Sequence, residues 1–425
     1  MNQVTAERMI PLVLMLSVSL LAPPGRAADH ETIDGVLHVK NRAGPRDGIE
    51  HLYLEETWRA GQADDDILFG LITQIVADSN GDIYVLDGQL SQVHVYDQDG
   101  THLRTLFHEG DGPGEVRGPR DLILLADGRV GAVQEVPGKL IFVDRQNNPA
   151  GELGIGGPGV AHGGFCQTFS AFVGADILLV AGFVQSPGKE PGHLTQTSFL
   201  SSFDAEGREI TNFCKDTNDI NLQDFTFVEN RHLAAYWWNT AVGPDGKVYI
   251  VPHLDRYEVH VHQADGSLER VITRELEPWR RTAPEKKQFV ELVKAIYGDA
   301  PIEVGVAPSD HEPLITTTQR GIRVHADGTL WVLPTHGIRD QAPGVLATFD
   351  VFSPEGEFMH QVAVHHEGDA RHDGVFLFPD DRAVVVRGFV DAAMVQFTGG
   401  RMSLDLADEE EAVMEVVGCR VRKSP

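Results

Sequence analysis

Six pairs of turns, each pair embracing short apolar strands, predict an all-β fold: a six-bladed β-propeller of four-stranded antiparallel blades, with one helical insertion between blades 4 and 5. Two regularities carry that prediction. The two turns of a unit stand about 19 residues apart in four of the six units, and every long connection falls on one side of the repeat. A β-sandwich would also space its turns, but it has no reason to space them in pairs.

The first unit is the clearest, with Asn80-Gly81 opening a strand that ends at Asp87, then residues 93–96 and the turn Asp99-Gly100. The second runs from Asp127-Gly128 to Gln134, then 140–144 and Asn147-Asn148. The third is degraded, from Gly174-Ala175 to Ala181, with a longer excursion before 199–204 and Glu206-Gly207. The fourth (Asp245-Gly246 to Pro252, 258–262, Asp265-Gly266) and the fifth (Asp327-Gly328 to Pro334, 348–352, Glu355-Gly356) match readily. The sixth is read as Asp380-Asp381 to Arg387, then a strand at 394–397 and Gly399-Gly400. Glycine after Asn or Asp supplies the positive φ that tight hairpin turns need, so each unit is a four-stranded meander. One such sheet cannot bury both faces, and six around an axis can. Residues 36–39 and 52–58 are strand candidates for closing the last blade, in competition with 414–421.

The stretch IVADSNGDIYVLDGQLSQVHVYDQDGTHLRTL and the link GDGPGEVRGPRDL resemble the NHL-like six-bladed propellers, over residues 50–400. That resemblance implies architecture more than activity, because such propellers include interaction scaffolds, binding proteins and some metal-dependent enzymes.

The 425 residues are 42% hydrophobic and 23% charged, which is globular composition, and a closed ring accommodates residues 28–425 as one domain. Thirty-five Lys and Arg against 63 Asp and Glu give a formal charge of -28 and argue against nucleic acid as a partner. Residues 1–27 read as a signal peptide, with Arg8, an apolar run at 9–22 and small residues around Gly25-Arg26-Ala27, followed by cleavage after Ala27. The run is too short to span a bilayer, which takes roughly 20 residues. The expected location is therefore periplasmic or extracellular. Of three cysteines, Cys166 and Cys214 could pair only if loops fold inward, since an innermost and an outermost strand lie about 14 Å apart.

In an up-and-down meander, connections alternate between two faces, and here the long ones (108–120, 154–165, 182–197, 215–238, 275–319, 335–345 and 365–373) all share one. Binding sites on rigid scaffolds concentrate in such loops. The longest contains the capping box Thr282 to Glu285 and an apolar stripe of Phe289, Leu292, Val293, Ile296 and Tyr297, which predicts a helix over about 282–298 acting as a lid or a packed buttress. Residues at and just beyond the ends of the second strands should rim the channel.

From that rim come the candidate ligand-binding residues Asp87, Glu135 and Arg387, joined by Arg117, Arg120 and Arg256 as a clamp for an anionic group. His253 and His336 are candidate ligands for a divalent cation, Ca or Zn, with Asp255 and Asp340 nearby. Nineteen histidines are spread along the chain, so most serve other purposes. Tyr236, Trp237 and Trp238 would form either a stacking platform or a wedge between blades. Two functions follow as expectations: recognition of a protein partner or a small, peptide or sugar ligand, and alternatively a metal-dependent lyase or hydrolase with its ion at the channel mouth. No catalytic residue can be assigned.

Overall fold

The computed structural model describes residues 28–423 apart from 63, 66, 157–163, 175, 299–301 and 399–413. The expected signal peptide and the Gly399-Gly400 turn lie outside these residues. The chain is built mostly of strands: β1 (Ala28–Ile33), β2 (Val36–Asn41) and β3 (Ile49–Ala60) precede the repeats. A first sheet holds β4 (Ile72–Ala77), β5 (Ile83–Asp87), β6 (Gln92–Tyr96) and β7 (His102–Leu106). The second has β8 (Pro119–Leu124), β9 (Val130–Gln134), β10 (Lys139–Val143) and β11 (Pro149–Gly154). The third has the longer β12 (Phe165–Gly174), β13 (Ile177–Pro187), β14 (His193–Phe203) and β15 (Glu209–Asn221).

After β16 (Phe225–Val228) and α1 (Glu229–His232), the fourth sheet comprises β17 (Thr240–Val242), β18 (Val248–Ile250), β19 (Glu258–His262) and β20 (Leu268–Arg274). Helix α2 (Ala283–Ile296) and β21 (Val304–Ala307) lead to the fifth, with β22 (Ile322–Val324), β23 (Leu330–Val332), α3 (His336–Arg339), β24 (Val345–Phe352) and β25 (Phe358–His365). The last elements are β26 (Gly374–Leu377), β27 (Arg382–Val386), α4 (Phe389–Phe397) and β28 (Val416–Lys423).

The turns differ from the simplest hairpin expectation. Gly81 has φ 94° and its N–H reaches Asp78 O at 3.1 Å, while Asp78 Oδ1 accepts from Asn80 N and Asp82 N at 2.9 and 3.0 Å. An aspartate three residues before the glycine thus builds the turn, and only the glycine needs positive φ. Asp97 repeats the arrangement before Gly100.

The sixth sheet departs from the sequence reading. Residues 394–397 are not a strand but part of α4, which starts after Gly388 in the left-handed region (φ 69°). Its Phe389, Val390 and Ala392 are buried with Phe376 and Ile72, an apolar face at helical spacing. The pairing edge of β27 is taken by β28, and β28 in turn pairs antiparallel with β3. The two competitors for closure are therefore both used: residues 416–423 supply the third strand and 52–60 the fourth. Residues 36–39 go elsewhere, with β2 lying parallel to β20 of the fourth sheet. The start of β3 also lies parallel to β25 of the fifth. The N-terminal segment is thus a belt over the outer edges of three consecutive sheets, covering edge N–H and C=O groups. Asn41 fastens it, donating to Thr273 O (3.0 Å) and Gly356 O (2.9 Å) and accepting from Phe358 N (2.8 Å).

The core is a succession of face-to-face contacts. Leu86 and Val95 of the first sheet pack on Leu122 and Val130 of the second, and Val133 and Leu140 on Ala171 and Val180 of the third. Leu179 and Leu200 meet Val248 and Ile250 of the fourth, and Val259 and Ile272 meet Val332 and Phe352 of the fifth. Val351 and Val364 then meet Val385 and Val417, and Val384 and Val416 pack back on Ile72 and Val85 of the first sheet.

Candidate functional site

Strand direction alone places every described helix on one side. The first and third strands of each sheet are entered from the ends where the second and fourth finish, and α1 to α4 all lie in those connections. Helix α2 carries its expected capping box, Glu285 Oε2 accepting from Thr282 N at 2.7 Å. It packs Phe289, Val293 and Tyr297 against Phe225, Phe227 and Ile220 beside the parallel pair β16 and β21, which is a buttress. Tyr236 and Trp237 wedge between the third and fourth sheets, Trp237 Nε1 donating to Gly182 O at 3.2 Å.

The rim candidates are largely engaged in holding the loops. Asp87 is fully buried and accepts from Gly70, Leu71, Gln89 and Leu90 N at 2.6, 3.2, 3.0 and 2.9 Å, saturating its carboxylate. Arg120 forms an ion pair with Glu135, which also accepts from Gln167 of the third sheet. Arg117 is exposed and forks onto Asp111 (2.9 and 3.0 Å) and Glu109 (3.0 Å), holding the Asp111 carboxyl below its usual range. Arg387 reaches Asp373 at 2.8 Å, and Arg339 is tied to Glu312.

His253, Asp255 and Arg256 are exposed in the segment after β18. Of the three, Asp255 lines a cleft of about 190 Å³, with His311 and Glu312 among others. His336 donates its Nε2–H to Glu277 O at 2.7 Å and meets the Trp279 ring edge-on. Among the described residues no group of three or more His, Cys, Asp and Glu is arranged to hold a metal ion. Cys166, Cys214 and Cys419 are free, and burial pushes each thiol up to about 12, so none is a ready nucleophile.

A different set of polar residues gathers on the first strands of the sheets or just before them. Gln74, Asp121 and Asn239 each stand seven residues before a turn glycine (Gly81, Gly128 and Gly246), and all are buried. Each bonds across to a neighbouring sheet or its entry link. Gln74 Nε2 donates to Asp121 Oδ1 at 2.8 Å. Asp121 Oδ2 accepts from Ala171 N at 2.9 Å. Asn239 donates to Thr316 O (2.8 Å) and accepts from Gly321 N (2.7 Å).

Arg320, in the link entering β22, reaches to Asp121 Oδ2 at 2.6 Å and Ala171 O at 2.9 Å, with its guanidinium over the Phe172 ring at 4.6 Å. Arg323 on β22 donates to Val375 O at 2.9 Å, and Gln319 accepts from Val375 N at 3.2 Å. An innermost strand has an unpaired edge, and these side chains satisfy the N–H and C=O of Ala171 and Val375 on two such edges. Burial and the neighbouring Arg320 push Arg323 down to about 10. The sequence reading compared second-strand ends and so missed this set; comparing first strands in the same register would have exposed Gln74, Asp121 and Asn239.

No protein-family model matches the chain, and no curated protein is significantly similar. Among solved structures, it is similar to a candidate exported protein from Bacteroides fragilis (10% identity, TM-score 0.47, covering 91% of this chain and 100% of the other). It is also similar to a calcium-binding protein, regucalcin, from Agrobacterium tumefaciens (13%, 0.41, 88% and 96%). A third is virginiamycin B lyase from Staphylococcus aureus (10%, 0.38, 79% and 85%). At these distances the architecture has to be read from strand pairing and core contacts.

Proposed function

We propose that the protein is an exported six-bladed β-propeller that recognises a ligand or partner through its loop-bearing face, without catalysing a reaction. The six sheets are read as blades because their apolar contacts run in sequence order and return from the last to the first. Export is inferred from the leader-like residues 1–27, and no helix among the described residues is long and apolar enough to cross a membrane.

The observation that carries recognition over catalysis is the state of the rim: Asp87 accepts from four backbone donors and Glu135 from Arg120 and Gln167, so both carboxylates are taken up by the protein's own donors. Exposed His253, Arg256 and Arg117 remain at the face for contact. The test is calorimetric screening of sugars, short peptides and small organic acids, repeated with Arg256→Ala and Arg117→Ala and with Arg208→Ala on the opposite, short-turn side. Affinity lost only in the first two supports the reading. Stoichiometric Zn or Ca that disappears in His253→Ala or His336→Ala, together with turnover, would overturn it in favour of an enzyme.

A further inference from the structure

Two arginines and a glutamine of one link and strand, Arg320, Arg323 and Gln319, reach toward the inner edges of other sheets. Arg320 is bound to the Asp121 carboxylate through one nitrogen, Nη2. The Arg320 side chain is nevertheless 31% exposed, so part of its fork faces solvent. Arg323 sits close enough to Arg320 to feel its charge. Among the described residues Arg323 meets no carboxylate; its acceptors are the carbonyls of Val375 and Leu377, at 2.9 and 3.5 Å. Gln319 is 5% exposed; its Oε1 accepts from Val375 N, and its buried Nε2 has no hydrogen-bond partner among the described residues. A half-buried guanidinium without a counter-charge and a buried amide N–H without an acceptor each cost stability unless something supplies the missing oxygen atoms. Both lie on the same edge, around Val375.

We propose that the axial channel binds a small organic monocarboxylate, held by Arg320, Arg323 and Gln319 Nε2. A carboxylate fits the planar donor fork of arginine and supplies the two acceptor oxygens that the amide and guanidinium lack. A single excess positive charge matches a monoanion, and the nearby Asp121 carboxylate disfavours a phosphate dianion. Arg320 precedes β22 in the link on the loop-bearing side, so the ligand enters from that face. For this access the inference rests on the recognition reading above.

The experiment titrates the full chain with sodium acetate and sodium propionate, against sodium chloride at matched ionic strength, following the thermal midpoint and the heat of binding. Saturable stabilisation by the carboxylates beyond that by chloride is expected. Arg323→Gln should weaken the apparent affinity at least tenfold. Gln319→Glu places an internal carboxylate beside Arg323, so it should keep or raise the midpoint in buffer while abolishing the response to acetate; it remains informative if Arg323→Gln fails to fold. No saturable response in the unmodified protein overturns the proposal. A response that survives Gln319→Glu also overturns it, but leaves recognition at the loop face standing, as does a non-carboxylate ligand that depends on Arg256 alone.

Discussion

Replacing Asp121 by Ala should be among the most damaging single substitutions at the axis. Four donors converge on this carboxylate: Gln74 Nε2 and Leu122 N on Oδ1, both at 2.8 Å, and Ala171 N and Arg320 Nη2 on Oδ2, at 2.9 and 2.6 Å. Leaving aside the short-range contact from Leu122 N, removing it orphans the Ala171 N–H, worth about 2 kcal/mol, and leaves the Gln74 amide to reorient at about 1 kcal/mol. Arg320 is partly hydrated, so its loss is discounted to about 1 kcal/mol. The total is about 4 kcal/mol. Asp121→Asn keeps the shape and one acceptor oxygen and should cost about half as much. Urea unfolding followed by the fluorescence of the five tryptophans measures both. An Asp121→Ala protein within about 1 kcal/mol of the parent would refute the view that this residue ties three sheets together.

His94 is buried on β6 and burial pushes it down to about 4, from an ordinary 6.5. The unfolded chain therefore takes up this proton first as pH falls, and stability drops between about pH 6.5 and 4, by up to about 3 kcal/mol at 1.36 kcal/mol per pH unit. The difference in unfolding free energy between the parent and His94→Gln, measured at pH 7 and pH 4.5, should shrink accordingly; a pH-independent difference contradicts the assignment. Asp87→Ala frees four backbone N–H groups and should cost about 3 kcal/mol in the same urea assay, with a loss under about 1 kcal/mol counting against its role. A methyl at Gly418 would sit 2.1 Å from the Trp58 ring, so Gly418→Ala should expel the indole at a cost of about 2 kcal/mol and red-shift its emission. An unshifted spectrum would show that the seam between β3 and β28 is looser than described.

What the sequence revealed and concealed follows from how local each signal is. Turn residues such as Asn80-Gly81 and Asp127-Gly128 act within four positions, and the strands flanking them formed where their apolar runs indicated. The sixth sheet is assembled from residues at both ends of the chain, so no turn joins β28 to β3 and nothing local marks their pairing. Residues 394–397 looked like a strand because three of four are apolar, yet the helix spans Phe389–Phe397 and buries Phe389, Val390 and Ala392 at helical spacing. The belt was invisible for a similar reason: Asn41 earns its burial from Gly356 and Phe358, more than three hundred residues away. At the candidate site, charge type was legible and pairing was not. Arg120 and Glu135 were both picked out, and they neutralise each other. Arg320 sits in a link with no strand period, where only the fold brings it to Asp121.

Recognition at one loop-bearing face requires a closed ring, because only closure creates a single axis and a single such face. Glu55 and Arg420 lie directly opposite on β3 and β28, and both are exposed. Opposed strand residues fall within disulfide reach, so the Glu55→Cys, Arg420→Cys protein should form an intramolecular disulfide on mild oxidation. The prediction is faster migration on non-reducing gels, loss of two titratable thiols and a raised thermal midpoint. Monomers that keep all five thiols, or disulfides formed only between molecules, would contradict the closed ring and the recognition face that depends on it.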